Sequence, residues 1–379
     1  MRVLHVVPSY YPAVRYGGPI ESVKGLCGAL AACGVELDVA TTNADGPGDL
    51  DVPTDRWCTQ GNVRVRYFRR WPKIEYATSA SLARFLAREA GRYDLVHVTS
   101  TFSFPALAAG AAARRARVPY VVSPRGSLQP WSLSQKGWKK RPYWWLIEHR
   151  HLSRAAAIHA TAEIERAAVA QLLPGASVVV VPNGMEPVTP PPVPRAGRTI
   201  VFLGRLHAKK GFDVLVPALS LLARDLPDVE TVVAGPDDHG EWARVEALLA
   251  KSSPRPAVRW IGPVHGPKKF ELLASAATFV LSSHSENFGQ AVVEALACGT
   301  PVVVSRNCPW SSVQERGAGF WVDNTAADVA KALKAVLLAG PSYASMQAAA
   351  RALAAEYSWP AVGSAMMQHY VRLIQASRA

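Results

Sequence analysis

A chain of 379 residues is longer than one hydrophobic core usually serves, and with 49% apolar residues it has material for two. No apolar run reaches bilayer-spanning length and the opening MRVLHVVPSYYP reads as a buried strand, so no signal peptide or transmembrane segment is expected, and Cys27, Cys33, Cys58, Cys298 and Cys308 lack the pairing or zinc spacing of a scaffold. The net charge of +13 lies mainly in residues 1–190, where 23 Lys and Arg face 14 Asp and Glu (+9), against 19 and 15 (+4) in the remainder. Reduced thiols and no membrane span point to a cytoplasmic protein, and no recognised nucleic-acid module accompanies the charge.

Short β-rich runs recur with room for a helix between them, the pattern of βαβ units on a parallel sheet. They fall at 3–7, 36–41, 63–68, 95–99, 120–123, 157–161 and 178–181, and then at 199–203, 230–234, 258–261, 278–281, 301–304 and 320–322. Between the two sets, PVTPPPVPRAGR (187–198) removes backbone donors and stiffens the chain, so neither a helix nor a central strand continues through it. The expectation is an α/β protein of two Rossmann-like doubly wound domains facing each other across a cleft. The first covers 1–188 and the second 195–358, with an amphipathic helix at 361–377 packing back across.

Ligands of such sheets bind beyond the carboxyl ends of the strands, so the loops there carry the candidates. The first, PSYYPAVRYGGPIESV, places Gly17 and Gly18 before a helix, where missing Cβ atoms let backbone amides approach phosphate. DLVHV ends a strand with His97, either a cleft residue or a hydrogen-bonded core histidine. SPRGSLQPW puts Arg125 after the next strand, suited to an acceptor phosphate or carboxylate, or else to a structural ion pair.

SQKGWKKRPYWWLIEHRHLSR (134–154) mixes Lys136, Lys139, Lys140, Arg141, Arg150 and Arg154 with Trp138, Tyr143, Trp144 and Trp145. It suits an anionic membrane surface or a phosphate-bearing substrate, or reads as a solvated helix with an aromatic core side.

In the second half, GRLHAKKGFDVL sets Arg205 and Lys210 around a loop before a helix, an anion site fit for a diphosphate, or else a basic surface turn. GPDDHGEW reads as a polar loop. In HSENFGQAVVEALACGTPVVVS, Glu286 stands at a turn whose helix should start near Phe288 or Gly289, leaving the amides of Asn287, Phe288 and Gly289 to face an anion or sugar hydroxyls. Because helical side chains tilt toward the N-terminus, Glu294 is expected to point back into the same pocket. Carboxylates accept paired hydroxyl bonds, which suits Glu286 to a hexose and Glu294 to a ribose; the alternatives are a helix-dipole acid and a solvent-facing glutamate. P-loop, GxGxxG, GxSxG and HExxH motifs are absent.

Together YGG (16–18), PNGM (182–185), GRLHAKKG (204–211), GPV (262–264) and SENFGQAVVEALACGTPVVVS (285–305) resemble the retaining GT-B glycosyltransferases of family 4 over nearly the whole chain. The resemblance implies transfer of a hexose from a UDP- or GDP-linked sugar to a saccharide or lipid-linked acceptor, without cofactor or metal. It implies that Arg205 and Lys210 are catalytic in holding the donor diphosphate, with Glu286 on the donor sugar near C3 and C4. It implies Glu294 on the ribose, the backbone around Val264 at the base, and Gly17, Gly18, Gly204, Asn287, Phe288 and Gly289 lining the donor. Where many members carry a histidine after strand 120–123, this chain has Arg125, which stands with His97 as an acceptor or sugar candidate. A silent nucleotide-sugar binder or a sugar-nucleotide epimerase on the same fold is the alternative.

Overall fold

The computed structural model describes residues 1–13, 18–135, 137–195, 197–238 and 240–378, with every side chain among them except that of Lys139. It contains two compact units, Met1–Met185 with Trp359–Ala379 and Glu186–Ser358.

In the first unit the chain forms β1 (Arg2–Val7), β2 (Glu36–Thr42), β3 (Ala44–Asp45), β4 (Gly48–Asp49), β5 (Trp57–Gln60), β6 (Val63–Phe68), β7 (Leu95–Thr99), β8 (Tyr120–Ser123), β9 (Ala157–Ala160) and β10 (Val178–Val180). Eight of these make one sheet in the order β10-β9-β8-β7-β1-β2-β6-β5, and β3 pairs with β4 alone. All neighbours are parallel except the edge strand β5, which runs antiparallel to β6. Side chains alternate between faces, so Val3 joins Leu26, Val65 and Tyr370 in one core while Leu4 and Val6 join Leu86 and Val98 in the other. Burial on both faces explains why these strands are runs of valine rather than alternating sequences.

The last helix, Trp359–Arg378, begins two residues before the expected start and packs on helix Gly18–Ala32. Its Trp359 indole fills the space where side chains on Gly25 and Gly184 would stand, 2.0 and 2.4 Å from the would-be Cβ positions. Gly184 of PNGM is therefore a packing residue.

The second unit holds β11 (Thr199–Leu203), β12 (Glu230–Ala234), β13 (Ala257–Trp260), β14 (Thr278–Leu281), β15 (Val302–Ser305) and β16 (Gly319–Val322). They form an all-parallel sheet ordered β13-β12-β11-β14-β15-β16. From β11 the chain winds outward to one edge through β12 and β13, then returns to β14 and winds to the other. The strand order thus reverses between β11 and β14, and crevices at such switch points are where open α/β sheets bind ligands. Among the described residues no helix is long and apolar enough to cross a membrane.

Candidate active site

The loops after β11, β12 and β14 meet here because two glycines let backbone touch backbone, Gly235 against the β11 loop and Gly211 against the β14 loop. Beyond β11 the chain stays beside the end of β12, with Gly204 N–H donating to Ala234 O and Leu206 N–H to Pro236 O, both at 2.9 Å. Gly235 has φ +141°, and a Cβ there would lie 1.9 Å from Gly204 O. Arg205 leaves this segment half-exposed, its Nε 3.6 Å from Asp238 Oδ2 in the loop read as merely polar. A single 3-10 turn, Ala208–Lys210, is capped by His207, and Gly211 follows at φ +73°. A Cβ on Gly211 would sit 1.9 Å from Ser282 O, so only glycine lets the start of helix Phe212–Asp225 lie against the β14 loop.

That approach places Lys210 on Glu286, with Nζ donating to Oε2 at 2.5 Å. Both side chains are mostly buried, 19% and 12% exposed. The Lys210 stem passes Gly204, its Cε 3.8 Å from where a Cβ would stand, an ordinary contact. Burial pushes the Glu286 carboxyl up, but the ammonium groups of Lys210 and Lys209, the Lys210 hydrogen bond and the Asn287 amide outweigh it and hold the carboxyl below its usual range. Burial lowers the Lys209 ammonium, against the opposing pull of Glu286.

The turn after Glu286 is fixed from below. Phe288 is buried and rings with Trp310 and Tyr357, and Trp310 Nε1 donates to Phe288 O at 2.5 Å. Gly289, at φ +84°, is the residue before helix Gln290–Ala297, so the helix starts one or two residues later than expected. Asn287 N–H is turned toward Glu286 Oε1 at 3.2 Å rather than presented outward.

Glu294 takes a different partner from Glu286. Its Oε1 accepts from Lys269 Nζ at 2.7 Å, with both side chains largely covered. Glu294 was expected to point back into the pocket of Glu286, with a solvent-facing glutamate as the alternative; its partner is Lys269 and its side chain is only 14% exposed, so the solvent-facing alternative does not hold. Lys269 comes from helix Pro267–Ser275, just after the loop that carries half-buried Val264. Lys269, Lys209, Trp310 and Tyr357 were not singled out in the sequence. Lys269 follows GPV closely, Lys209 lies within GRLHAKKG and Trp310 comes just after the Glu-x7-Glu segment, whereas Tyr357 is near none of these in the sequence.

In the first unit the candidates separate. Gly18 opens helix Gly18–Ala32 with nothing within 4 Å of its would-be Cβ, and Gly17 lies outside the described residues. His97 is fully buried, which corrects its reading as a cleft residue. It sits in a relay running from Tyr370 OH to His97 Nδ1, from His97 Nε2 to Ser123 Oγ (2.7 Å), from Ser123 Oγ to His159 Nδ1 (2.6 Å) and from His159 Nε2 to Val181 O (2.8 Å). Since Val181 O only accepts, one direction satisfies the chain: each group donates to the next and every histidine is neutral. Burial and the Arg125 charge push His159 down to about 3. His5, stacked on His97, is likewise pushed down to about 3, by burial and by Arg125.

Arg125 stands at φ +54° and donates from Nη1 to Asn183 Oδ1. Its Nε is buried without a hydrogen-bond partner among the described residues. Burial lowers its guanidinium while the Glu165 charge opposes that shift. Glu165 itself accepts from Gly126 N–H at 2.5 Å and Thr161 N–H at 2.8 Å, so it holds the loop rather than pairing directly with Arg125.

Comparison with known proteins assigns both units. The model for glycosyl transferases group 1 matches residues 190–353, and that for a glycosyl transferase 4-like domain matches residues 17–184. A D-inositol 3-phosphate glycosyltransferase of Arthrobacter sp. (strain FB24) is 28% identical over 396 residues, spanning 97% of this chain and 93% of that protein. A phosphatidyl-myo-inositol mannosyltransferase of Mycolicibacterium smegmatis is 33% identical over 207 residues, 52% of each. Among solved structures, Anabaena Alr3699/HepE in complex with UDP and glucose superposes with a TM-score of 0.74 at 18% identity, over 98% of this chain and 100% of that one. Sucrose-phosphate synthase from Thermosynechococcus elongatus gives 0.73 at 20%, over 99% and 100%.

Proposed function

The chain belongs to the group 1, family 4 glycosyltransferases of GT-B fold, and from that premise we propose that it moves a hexose from a UDP- or GDP-linked donor to a hydroxyl of a saccharide or lipid-linked acceptor, with retention at the anomeric carbon. The observation that carries this reading is the Lys210–Glu286 pair at the switch point. Each partner has a ligand group to exchange the other for: the ammonium takes a diphosphate oxygen and the carboxylate takes sugar hydroxyls near C3 and C4. Arg205 joins Lys210 on the diphosphate, and Glu294, oriented by Lys269, receives the ribose hydroxyls near the Val264 loop.

The acceptor oxygen bonds to the anomeric carbon as the bond to the diphosphate breaks, on the same face, and the acceptor proton passes to the departing diphosphate oxygen. No protein nucleophile is needed, and the developing charge is met by Arg205, Lys210 and amide dipoles without a metal. The first unit serves the acceptor, and the names of the curated relatives, which specify inositol phosphate and phosphatidyl-myo-inositol, support a polyol or lipid-linked one; a lipid-linked acceptor would be met at a membrane face.

The test is a panel of UDP- and GDP-sugars followed by thermal shift, then by nucleoside diphosphate release with candidate acceptors, in the presence and absence of EDTA. A donor that both raises the melting temperature and is consumed with acceptor supports the reading, and the anomeric configuration of the product settles retention. Binding without release from any donor marks a silent binder, and sugar conversion without acceptor marks an epimerase.

A further inference from the structure

The segment 134–154 is neither a solvated helix with an aromatic underside nor a uniformly basic face; the structure divides its residues between two roles. Trp144 and Glu148 are buried, and Tyr143 meets Tyr76 through a 2.9 Å hydroxyl contact and packed rings. Lys140 is drawn inward, its Nζ donating to Ser132 O at 2.5 Å and lying over the Phe102 ring. Trp138, Trp145 and Leu146 face outward, 76%, 73% and 77% exposed. The Tyr76–Tyr143 clasp brings up a second segment from a distant part of the sequence, the loop 71–77, whose Trp71 and Ile74 are 79% and 49% exposed. Five large apolar side chains, three of them tryptophans, thus stand in water on two clasped segments of one unit.

We propose that these two segments form a single membrane-docking surface for an anionic lipid bilayer, with Trp71, Ile74, Trp138, Trp145 and Leu146 entering the headgroup region. This deepens the reading of a lipid-linked acceptor at a membrane face and rests on it. Two physical facts favour a bilayer over another occupant. Tryptophan is the side chain best matched to the interface, with an apolar ring and one polar N–H. The charge of the segment matches anionic headgroups: between 134 and 154 the sequence has six Lys and Arg against one acid, Glu148, a balance of +5, and that acid is buried. Exposed Arg141 and Arg150 lie in the same run as the tryptophans. The structure shifts the weight of binding from the lysines to the apolar side chains, because Lys140 is engaged inward. A two-segment footprint also resists rolling, so it fixes how the unit meets the surface, which a lone basic helix does not.

The test uses the full chain with phosphatidylcholine vesicles, with and without phosphatidylglycerol, by co-flotation and tryptophan fluorescence. Two variants remove one arm each, Trp71→Ala/Ile74→Ala and Trp138→Ala/Trp145→Ala/Leu146→Ala, and a third combines them. Each arm removed is expected to lower partitioning to anionic vesicles about tenfold or more, with unchanged far-UV circular dichroism and unchanged nucleoside diphosphate release toward a soluble acceptor. The wild-type tryptophan emission is expected to shift to shorter wavelength on anionic vesicles only. If the loop variant partitions like the wild type, the two-segment surface is overturned while the membrane reading stands. If the wild type binds no vesicle, both fall, and the donor reading, measured in solution, is unaffected. If the variants instead convert a dimer to a monomer in sedimentation without changing partitioning, the patch is a self-association surface and the proposal is overturned.

Discussion

Lys210 and Glu286, 76 residues apart in sequence, are joined by a 2.5 Å charge-assisted hydrogen bond at the point where the second sheet reverses its strand order. A pair this buried cannot lose one member quietly. In Lys210→Ala the Glu286 carboxylate keeps its burial and loses its main counter-charge, and the diphosphate loses a cation. Turnover is expected to fall about a hundredfold or more, the usual cost of removing one preorganised charge partner. Nucleoside diphosphate release measures it, and a Lys210→Arg variant that restores most of the rate separates charge from mere packing.

Glu294 and Lys269 form another ion pair of this unit's site, at 2.7 Å, and its effect should differ in kind. If Glu294 receives ribose hydroxyls, Glu294→Gln weakens donor binding in ground and transition states alike. The donor KM is then expected to rise about tenfold with kcat little changed, whereas Lys210→Ala lowers kcat. A kcat loss in Glu294→Gln with an unaltered KM would remove Glu294 from the donor.

Gly211 and Gly235 are where the active-site backbone is most exposed to mutation. Each needs a positive φ, and at each a Cβ would stand 1.9 Å from a carbonyl oxygen, so the neighbouring strand ends must part to admit it. Alanine at either is expected to lower the stability of the second unit by about 3 kcal/mol or more, combining left-handed strain with overpacking. Alanine at Gly240, with φ +70° but open space, should cost only the strain, about 1 kcal/mol. Thermal unfolding of the three variants orders them.

Most strands were legible because a parallel sheet buried on both faces writes itself as valine-rich runs, and the 95–99, 199–203 and 278–281 predictions match β7, β11 and β14 residue for residue. β5 was missed because WCTQ at 57–60 is a half-buried edge strand with no apolar run. The Gly61-Asn62 turn between it and β6 was its one local signal. The β3–β4 hairpin, two residues a strand, has no period to read. At the site, the sequence shows that Lys210 and Glu286 both follow strands, but not that Lys210 would be the partner of Glu286 and Lys269 that of Glu294. That choice depends on which helix lies beside which, and spacing along the chain does not encode it. His97 was ambiguous for the same reason, since its partner Tyr370 is 273 residues away.

Glu148 makes the first unit sensitive to pH near neutrality. It sits in the π-helical turn Trp144–Glu148, its Oε2 accepting from Phe102 N–H at 3.3 Å and its Oε1 buried with no partner among the described residues. Burial pushes its carboxyl from 4.5 up to about 7, with the Phe102 amide opposing. The folded state therefore prefers the protonated form. This group's contribution is fully present below pH 4.5 and is lost as pH rises through about 7, to an extent on the order of 3 kcal/mol. His151 slopes the other way: burial and the Arg114 charge push it down to about 4, so its contribution is present above 6.5 and lost on acidification toward 4. The melting temperature of Glu148→Gln, which stays neutral, is expected to gain on the wild type as pH is raised from about 5 to about 8. Parallel curves would show that the carboxylate is not buried in solution.

The Tyr370–His97–Ser123–His159 relay ties the last helix to three strands of the first sheet, and its role is open to a kinetic test that distinguishes structure from substrate contact. Every member is buried and neutral, and the proton order is dictated by the Val181 carbonyl at its end. Tyr370→Phe deletes the first donor and leaves His97 Nδ1 as a buried acceptor with nothing to accept, at a cost of about 1 to 3 kcal/mol. The whole effect should appear in the melting temperature, with the acceptor KM and kcat of the surviving folded protein unchanged at low temperature. His97→Gln, which retains a donor and an acceptor of similar reach, is expected to recover part of the stability lost in His97→Ala without separating the two in kinetics. A rise in acceptor KM confined to His97 variants, at equal folded fraction, would instead return this histidine to the site for which its strand-end position first marked it.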